Sequence, residues 1–224
     1  MGLFGSSKQE NIQRLLKSAQ AKCERDDRRG EISDLTQVIE LDPKNASAYA
    51  YRGNAYYHLD RFDESIKDFE KALSFEPTNE IFLFGLACAK REGGDMKGAF
   101  ATYTRAIKIN PSNADFWHNR GQIKRYAMDA EGARKDFEMA VRLGDYASQR
   151  FVDLCSHFGN ARSFEENITN TVLNVDEIIQ EGLTYKSQGN WQLALGSFSR
   201  AVQLYPRVKR AVSHKRQLEQ EIGI

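Results

Sequence analysis

Four histidines, three cysteines and a set of regularly spaced arginines are the side chains of this 224-residue chain with chemistry to offer. His58, His118, His157 and His214 stand in unrelated settings, and Cys155-Ser156-His157 is not a metal-binding spacing. Cys23, Cys88 and Cys155 are an odd, scattered set, which argues against a disulfide framework and for a reducing compartment. No glycine-rich phosphate loop is present. One nucleophile can be named, a Cys88 thiolate served by His58 or His118. A small thiol at a packed helix position is the plainer reading. The sequence therefore predicts a chain that is not an enzyme and uses no cofactor and no metal.

Binding is the chemistry that the spacing favours. Asn54, Cys88 and Gln122 recur every 34 residues, and so do Tyr57, Arg91 and Arg125. A third column is His58, Glu92 and Tyr126, a fourth is Ala50, Phe84 and His118, and Tyr51 and Asn119 lie beside them. Amides can pair with an extended peptide backbone, arginines can hold a carboxylate in bidentate fashion, and aromatics give rigid contact area. The expected ligand is a peptide or helix of another protein, bearing acidic and apolar groups. Any one of these residues also suits a solvated or packing role; the recurrence of the set is what points to a groove.

The elements that would position these columns are marked by proline. Pro43, Pro77 and Pro111 stand 34 residues apart, and Pro206 closes a similar segment later. A proline lacks the N–H and clashes with the preceding turn, so each marks the end of a helix pair. Within the unit 46–79, Tyr49, Arg52-Gly53 and Tyr56 are followed by Ser65, Phe69, Ala72 and Pro77. The roles recur as Leu83, Leu86-Ala87, Ala99, Tyr103, Ala106 and Pro111, and then as Trp117, Arg120-Gly121, Ala133, Phe137 and Ala140, with Asp145 in the proline slot. A later copy reads Ile178, Gly182, Tyr185, Ala194, Phe198, Ala201 and Pro206. Small residues let two helices approach closely, and the aromatics fill the space between one pair and the next. Leu59-Asp60-Arg61, Gly93-Gly94-Asp95 and Gly189-Asn190 are the expected turns.

This pattern resembles the tetratricopeptide repeat, over most of the chain. The resemblance implies an all-α fold, a right-handed superhelical solenoid of antiparallel helix pairs whose first helices line a concave wall. The expected organisation is a flexible N-terminus at 1–11, a degenerate first repeat at 12–45, and repeats at 46–79, 80–113 and 114–147. A shortened repeat or linker follows at 148–174, then a repeat at 175–208 and a C-terminal capping helix at 209–224. The peptide groove is placed on Tyr51, Asn54, Tyr57, His58, Phe84, Cys88, Arg91, His118, Asn119, Gln122, Arg125 and Tyr126. Many proteins of this family hold the tails of heat-shock chaperones in a carboxylate clamp. Its places here are Ala50 and Asn54, then Gly85, then Asp115 and Asn119, and only Asn54 matches. The clamp is therefore not expected.

Charge and hydropathy narrow the rest. With 41% hydrophobic and 28% charged residues the chain can bury a core, and a net charge of +1 gives no global drive toward nucleic acid or anionic membranes. No apolar run is long enough to span a bilayer, and no secretory signal is read at the start, so a cytoplasmic location is expected. Met1-Gly2-Leu3-Phe4-Gly5-Ser6 fits an N-myristoylation pattern. Acylation of Gly2 beside the basic Arg14, Lys17, Lys22 and Arg25 would make a membrane-associated scaffold the alternative reading. A basic stretch from Arg200 to Arg216 suggests RNA, but without a recognised motif it reads as a solvated helix face.

Overall fold

The computed structural model describes residues 3–127, 129–157, 175–204 and 209–223. Among them the chain is all-α: twelve α-helices, one 3-10 turn and no strand. The helices are α1 (Leu3–Glu24), α2 (Arg28–Leu41), α3 (Ala46–His58), α4 (Phe62–Phe75), α5 (Glu80–Glu92) and α6 (Met96–Ile109). They continue as α7 (Ala114–Tyr126), α8 (Ala130–Arg142), α9 (Gln149–His157), α10 (Val175–Ser187), α11 (Trp191–Leu204) and α12 (Lys209–Ile222), with the 3-10 turn at Tyr146–Ser148. The chain divides into two compact units, Met1–Ala89 and Lys90–Ile224. Within them α1 packs on α2, α3 on α4, α7 on α8 and α10 on α11.

Local chemistry sets the helix ends. Two residues after each of the first three prolines stands an asparagine that caps the next helix. Asn45 accepts the Ala48 N–H, Asn79 those of Ile81 and Phe82, and Asn113 that of Asp115. Second helices use aspartate instead: Asp27, Asp95 and Asp129 accept the N–H groups of Gly30, Gly98 and Gly132. Each of those glycines is required by a close approach, since a Cβ would lie 2.2, 2.0 or 2.1 Å from the capping carboxylate. The α4 start breaks this pattern, with Arg61 paired to Glu64 in the same two places. The turns fall as expected at Asp60, Gly94 and Gly189, with φ of 56°, 90° and 74°.

Packing follows the small-against-large rule. Ala72, Ala106, Ala140 and Ala201 are fully buried, as are Tyr103 and Phe137. A Cβ on Gly121 would sit 3.0 Å from the Phe137 ring, and one on Gly182 2.6 Å from Phe198. Phe69 fills the space above Gly53 and presses on Gly85, where a Cβ would lie 2.3 Å from the ring. In the first unit Ile12, Leu15 and Ala19 of α1 join Leu35, Val38 and Ala48 in one core. The start of α1 at Leu3 differs from the expected flexible stretch 1–11. No proline interrupts this segment, and a helix anchored at Ile12 and Leu15 extends backward at little cost. At the other end Leu218 of α12 is fully buried with Ile178 and Phe198, and His214 stacks on Phe198 at 5.5 Å. Pro206 and residues 158–174 of the expected 148–174 segment lie outside the described residues.

A polar device not read from the sequence joins the helices. Arg52 of α3 forks onto Asp68 of α4 at 2.7 and 2.8 Å and donates to Thr36 of α2 at 3.1 Å. Two repeats on, Arg120 forks onto Asp136 at 2.8 and 2.7 Å, with Thr104 at 3.4 Å. Lys124 adds a second cation to Asp136, as Lys22 serves Asp34 in the first repeat. The same positions carry Leu86 and Thr102 in the third repeat. In the last repeat they are reversed in sense, with Ser197 donating to Glu181 at 3.0 Å.

Candidate functional site

In the first unit α3 and α5 carry six of the residues expected to line a groove. Tyr51, Asn54 and His58 are exposed, while Tyr57, Phe84 and Cys88 are half-buried. Tyr57 meets His58 and Phe62 edge-on at 5.7 and 5.8 Å. Desolvation, and after it the Arg28 cation, push the His58 pKa below its ordinary value.

An open groove of about 800 Å³ lies against these helices. Its walls include Leu16, Lys17, Gln20 and Cys23 of α1 and Tyr51 of α3, and Leu35 and Glu31 of α2 also line it. Leu16, Lys17, Gln20 and Cys23 stand one 34-residue period before Ala50, Tyr51, Asn54 and Tyr57. The cavity thus occupies the predicted columns one repeat earlier than the sequence reading placed them. It exists because the first repeat lacks aromatic anchors, with Ser18 and Lys22 where the next repeat has Arg52 and Tyr56. Beside it, Arg28 donates to Cys23 Sγ at 3.0 Å and to Glu31 at 3.1 Å. Burial raises the Glu31 pKa against the pull of that arginine.

In the second unit the remaining six expected residues form two hydrogen-bonded groups. Arg91 donates to Asn119 Oδ1 at 2.6 Å and to Glu92 at 3.0 and 3.2 Å, while Asn119 donates to the Asp115 carbonyl. The second group runs from Asp145 through His118 to Arg125. His118 Nδ1 lies 2.6 Å from Ser148 Oγ and 3.0 Å from Asp145. Ser148 donates to Asp145 at 2.6 Å. The other ring nitrogen faces the Gln122 amide at 3.3 Å, and Arg125 Nε donates to Gln122 Oε1 at 3.1 Å. Tyr126 is exposed and carries the Arg125 guanidinium 4.8 Å from its ring centroid.

A serine, a histidine and an acid within hydrogen-bond reach invite comparison with a nucleophile set. Here the serine and the acid share one ring nitrogen, and Ser148 is fully buried. The hydroxyl is spent on Asp145, so the arrangement clasps the start of α9 rather than presenting an attacking oxygen. Asp145, in the proline slot, is therefore a hydrogen-bonding residue that the period alone did not reveal.

Phe151 and Arg150 of α9 are further members that the 34-residue columns missed. Phe151 stacks on Phe137 at 5.1 Å and meets His118 edge-on at 5.5 Å. Arg150 sits 4.6 Å over the Phe151 ring and Arg125 5.7 Å from it. Cys155, one turn on, is buried, and desolvation pushes its thiol pKa up. Among the described residues no group of three histidine, cysteine, aspartate or glutamate side chains comes together for a metal. Gly2 lies outside the described residues, within which no helix is long and apolar enough to cross a membrane.

Comparison with known proteins agrees with this architecture. The family description "Tetratricopeptide repeat" matches residues 46–79, and "TPR repeat" matches 87–124. "Protein prenyltransferase alpha subunit repeat", another helix-pair description, matches 29–59. The mouse protein DnaJ homolog subfamily C member 7 is 27% identical over 59% of this chain and 30% of its own length. The Saccharomyces cerevisiae small glutamine-rich tetratricopeptide repeat-containing protein 2 is 31% identical over 50% of this chain and 30% of its own. The chain thus spans about a third of the length of these relatives. Among solved structures, a tetratricopeptide repeat protein from Parabacteroides merdae matches with TM-score 0.59 and 16% identity, over 96% of this chain and 74% of that one. The MamA protein matches with TM-score 0.56 and 16% identity, over 90% and 95%. These likenesses are of fold.

Proposed function

The chain is a tetratricopeptide repeat protein, and on that footing we propose that it is a non-catalytic adaptor holding a segment of another protein on its first-helix surfaces. The observation that carries this reading is the groove lined by Leu16, Lys17, Gln20, Cys23, Leu35 and Tyr51. It is half apolar floor and half amide and ammonium wall, the composition that suits a peptide with apolar side chains and a backbone to satisfy. The relatives named as DnaJ homologues make chaperone assemblies one setting in which to look for the partner. Tail capture by a carboxylate clamp is not part of the proposal. Among the matching places, Gly85 has no side chain, Asp115 is acidic, and Asn119 is tied to Arg91.

The test is capture of partners by the immobilised chain, repeated with Leu16→Asp and with Tyr51→Ala. Both variants are expected to keep the helical circular dichroism and to lose the proteins that the parent chain retains. Unchanged capture by both would overturn the reading.

A further inference from the structure

The geometry points to a carboxylate-recognition point in the second unit, formed by Arg125 and Arg150 around the ring of Phe151, for an acidic and apolar segment of the partner. It rests on the adaptor reading and deepens it, by naming a second place of contact and its chemistry.

Arginines elsewhere in the chain are occupied. Arg52, Arg61, Arg91, Arg120 and Arg134 each meet a carboxylate at 3.0 Å or less. Arg125 and Arg150 meet none among the described residues; their partners are aromatic rings and one amide. A guanidinium whose face rests on a ring keeps its N–H donors in its own plane, directed outward. The single amide, Gln122, takes only Nε of Arg125, which leaves the Nη donors for a ligand.

The platform beneath them is built, not incidental. Phe151 is clamped by Phe137, which is fully buried, and by His118, whose ring is fixed by Ser148 and Asp145. Both guanidinium carbons lie within 5.7 Å of the same ring centroid, so two cations share one rigid support. Two charges of one sign held together favour an anion between them. Around them Tyr126, Tyr146 and Leu154 are exposed, giving apolar area on which a segment can rest. Asp145 is consumed by Ser148 and His118, and Asp153 receives Gln149, so neither neutralises the pair. Both still lower the local potential, which favours isolated carboxylates over the dense charge of a phosphate backbone.

The test uses the ¹⁵N-labelled full chain and the probe acetyl-Leu-Glu-Phe-Glu-amide. The Nε–Hε signals of Arg125 and Arg150 are expected to shift saturably with this peptide and to stay still with its glutamine counterpart. Arg125→Gln with Arg150→Gln is expected to weaken binding at least about tenfold, the scale of a lost charge-assisted hydrogen bond, with helicity unchanged. Equal shifts with the glutamine peptide would overturn the proposal. Shifts confined to Leu16, Lys17 and Tyr51 would overturn it too, while leaving the adaptor reading in place. A response of the two arginines to inorganic phosphate that exceeds the response to the peptide would overturn the carboxylate assignment. No shift at any residue would count against both readings.

Discussion

Ser65 is fully buried and its hydroxyl has no hydrogen-bond partner. The equivalent places in other repeats hold Ala99, Ala133 and Ala194, each fully buried. A buried hydroxyl that bonds to nothing bears the loss of its hydration with no return. Ser65→Ala is therefore expected to stabilise the chain by about 1 kcal/mol in urea denaturation. Gly85 shows the opposite sensitivity, because a Cβ there meets the Phe69 ring. Gly85→Ala is expected to cost about 1–3 kcal/mol, the range for overpacking a tight core, with a matching fall in the melting temperature. Cys155 offers a check on reactivity. Burial raises its thiol pKa, so at neutral pH the folded chain holds even less thiolate there than a free cysteine does. In a Cys23→Ser, Cys88→Ser background, alkylation of Cys155 is expected only when the chain unfolds. Rapid labelling under native conditions would show that the site opens.

The helix pairs were legible because their signals are local. A proline ends a helix wherever it stands, an asparagine two residues later caps the next, and a glycine facing an aromatic reports a close approach. The interhelical clasp of Arg52 and Asp68 was not legible. In one dimension these look like surface charges, and only folding shows them turned inward, 16 residues apart on facing helices. Arg150 was missed for another reason, since it stands where the 34-residue period breaks and belongs to no column. The clasp makes a definite prediction. Asp68 is buried and, among the described residues, has Arg52 alone for a partner. Arg52→Leu is expected to cost about 3 kcal/mol or more, because it strands a buried carboxylate. Arg52→Leu combined with Asp68→Thr copies the pair that the third repeat already uses, Leu86 and Thr102. The double variant is expected to recover to within about 1 kcal/mol of the parent, as replacing a whole buried ion pair often does. The double-mutant cycle in urea measures both.

For the whole chain, α12 decides whether the last repeat is covered. Leu218 joins a core with Ile178, Ile179 and Phe198, and Lys186 pairs with Glu221 at 2.8 Å. Removing the chain from residue 207 onward would bare that core, so the shortened protein is expected to melt earlier and to bind a hydrophobic dye. Terminal helices with one apolar and one solvated face serve this purpose in repeat proteins. The clasp also has a consequence for biosynthesis. Each arginine reaches backward 16 residues to a threonine and forward 16 residues to an aspartate. A chain leaving the ribosome delivers the threonine first, the arginine second and the aspartate last. At about 5–20 residues per second the cation waits only seconds for its anion, with one contact already in place. Each repeat is thus seated on its finished predecessor before its own second helix emerges, and the order of synthesis becomes the order of assembly.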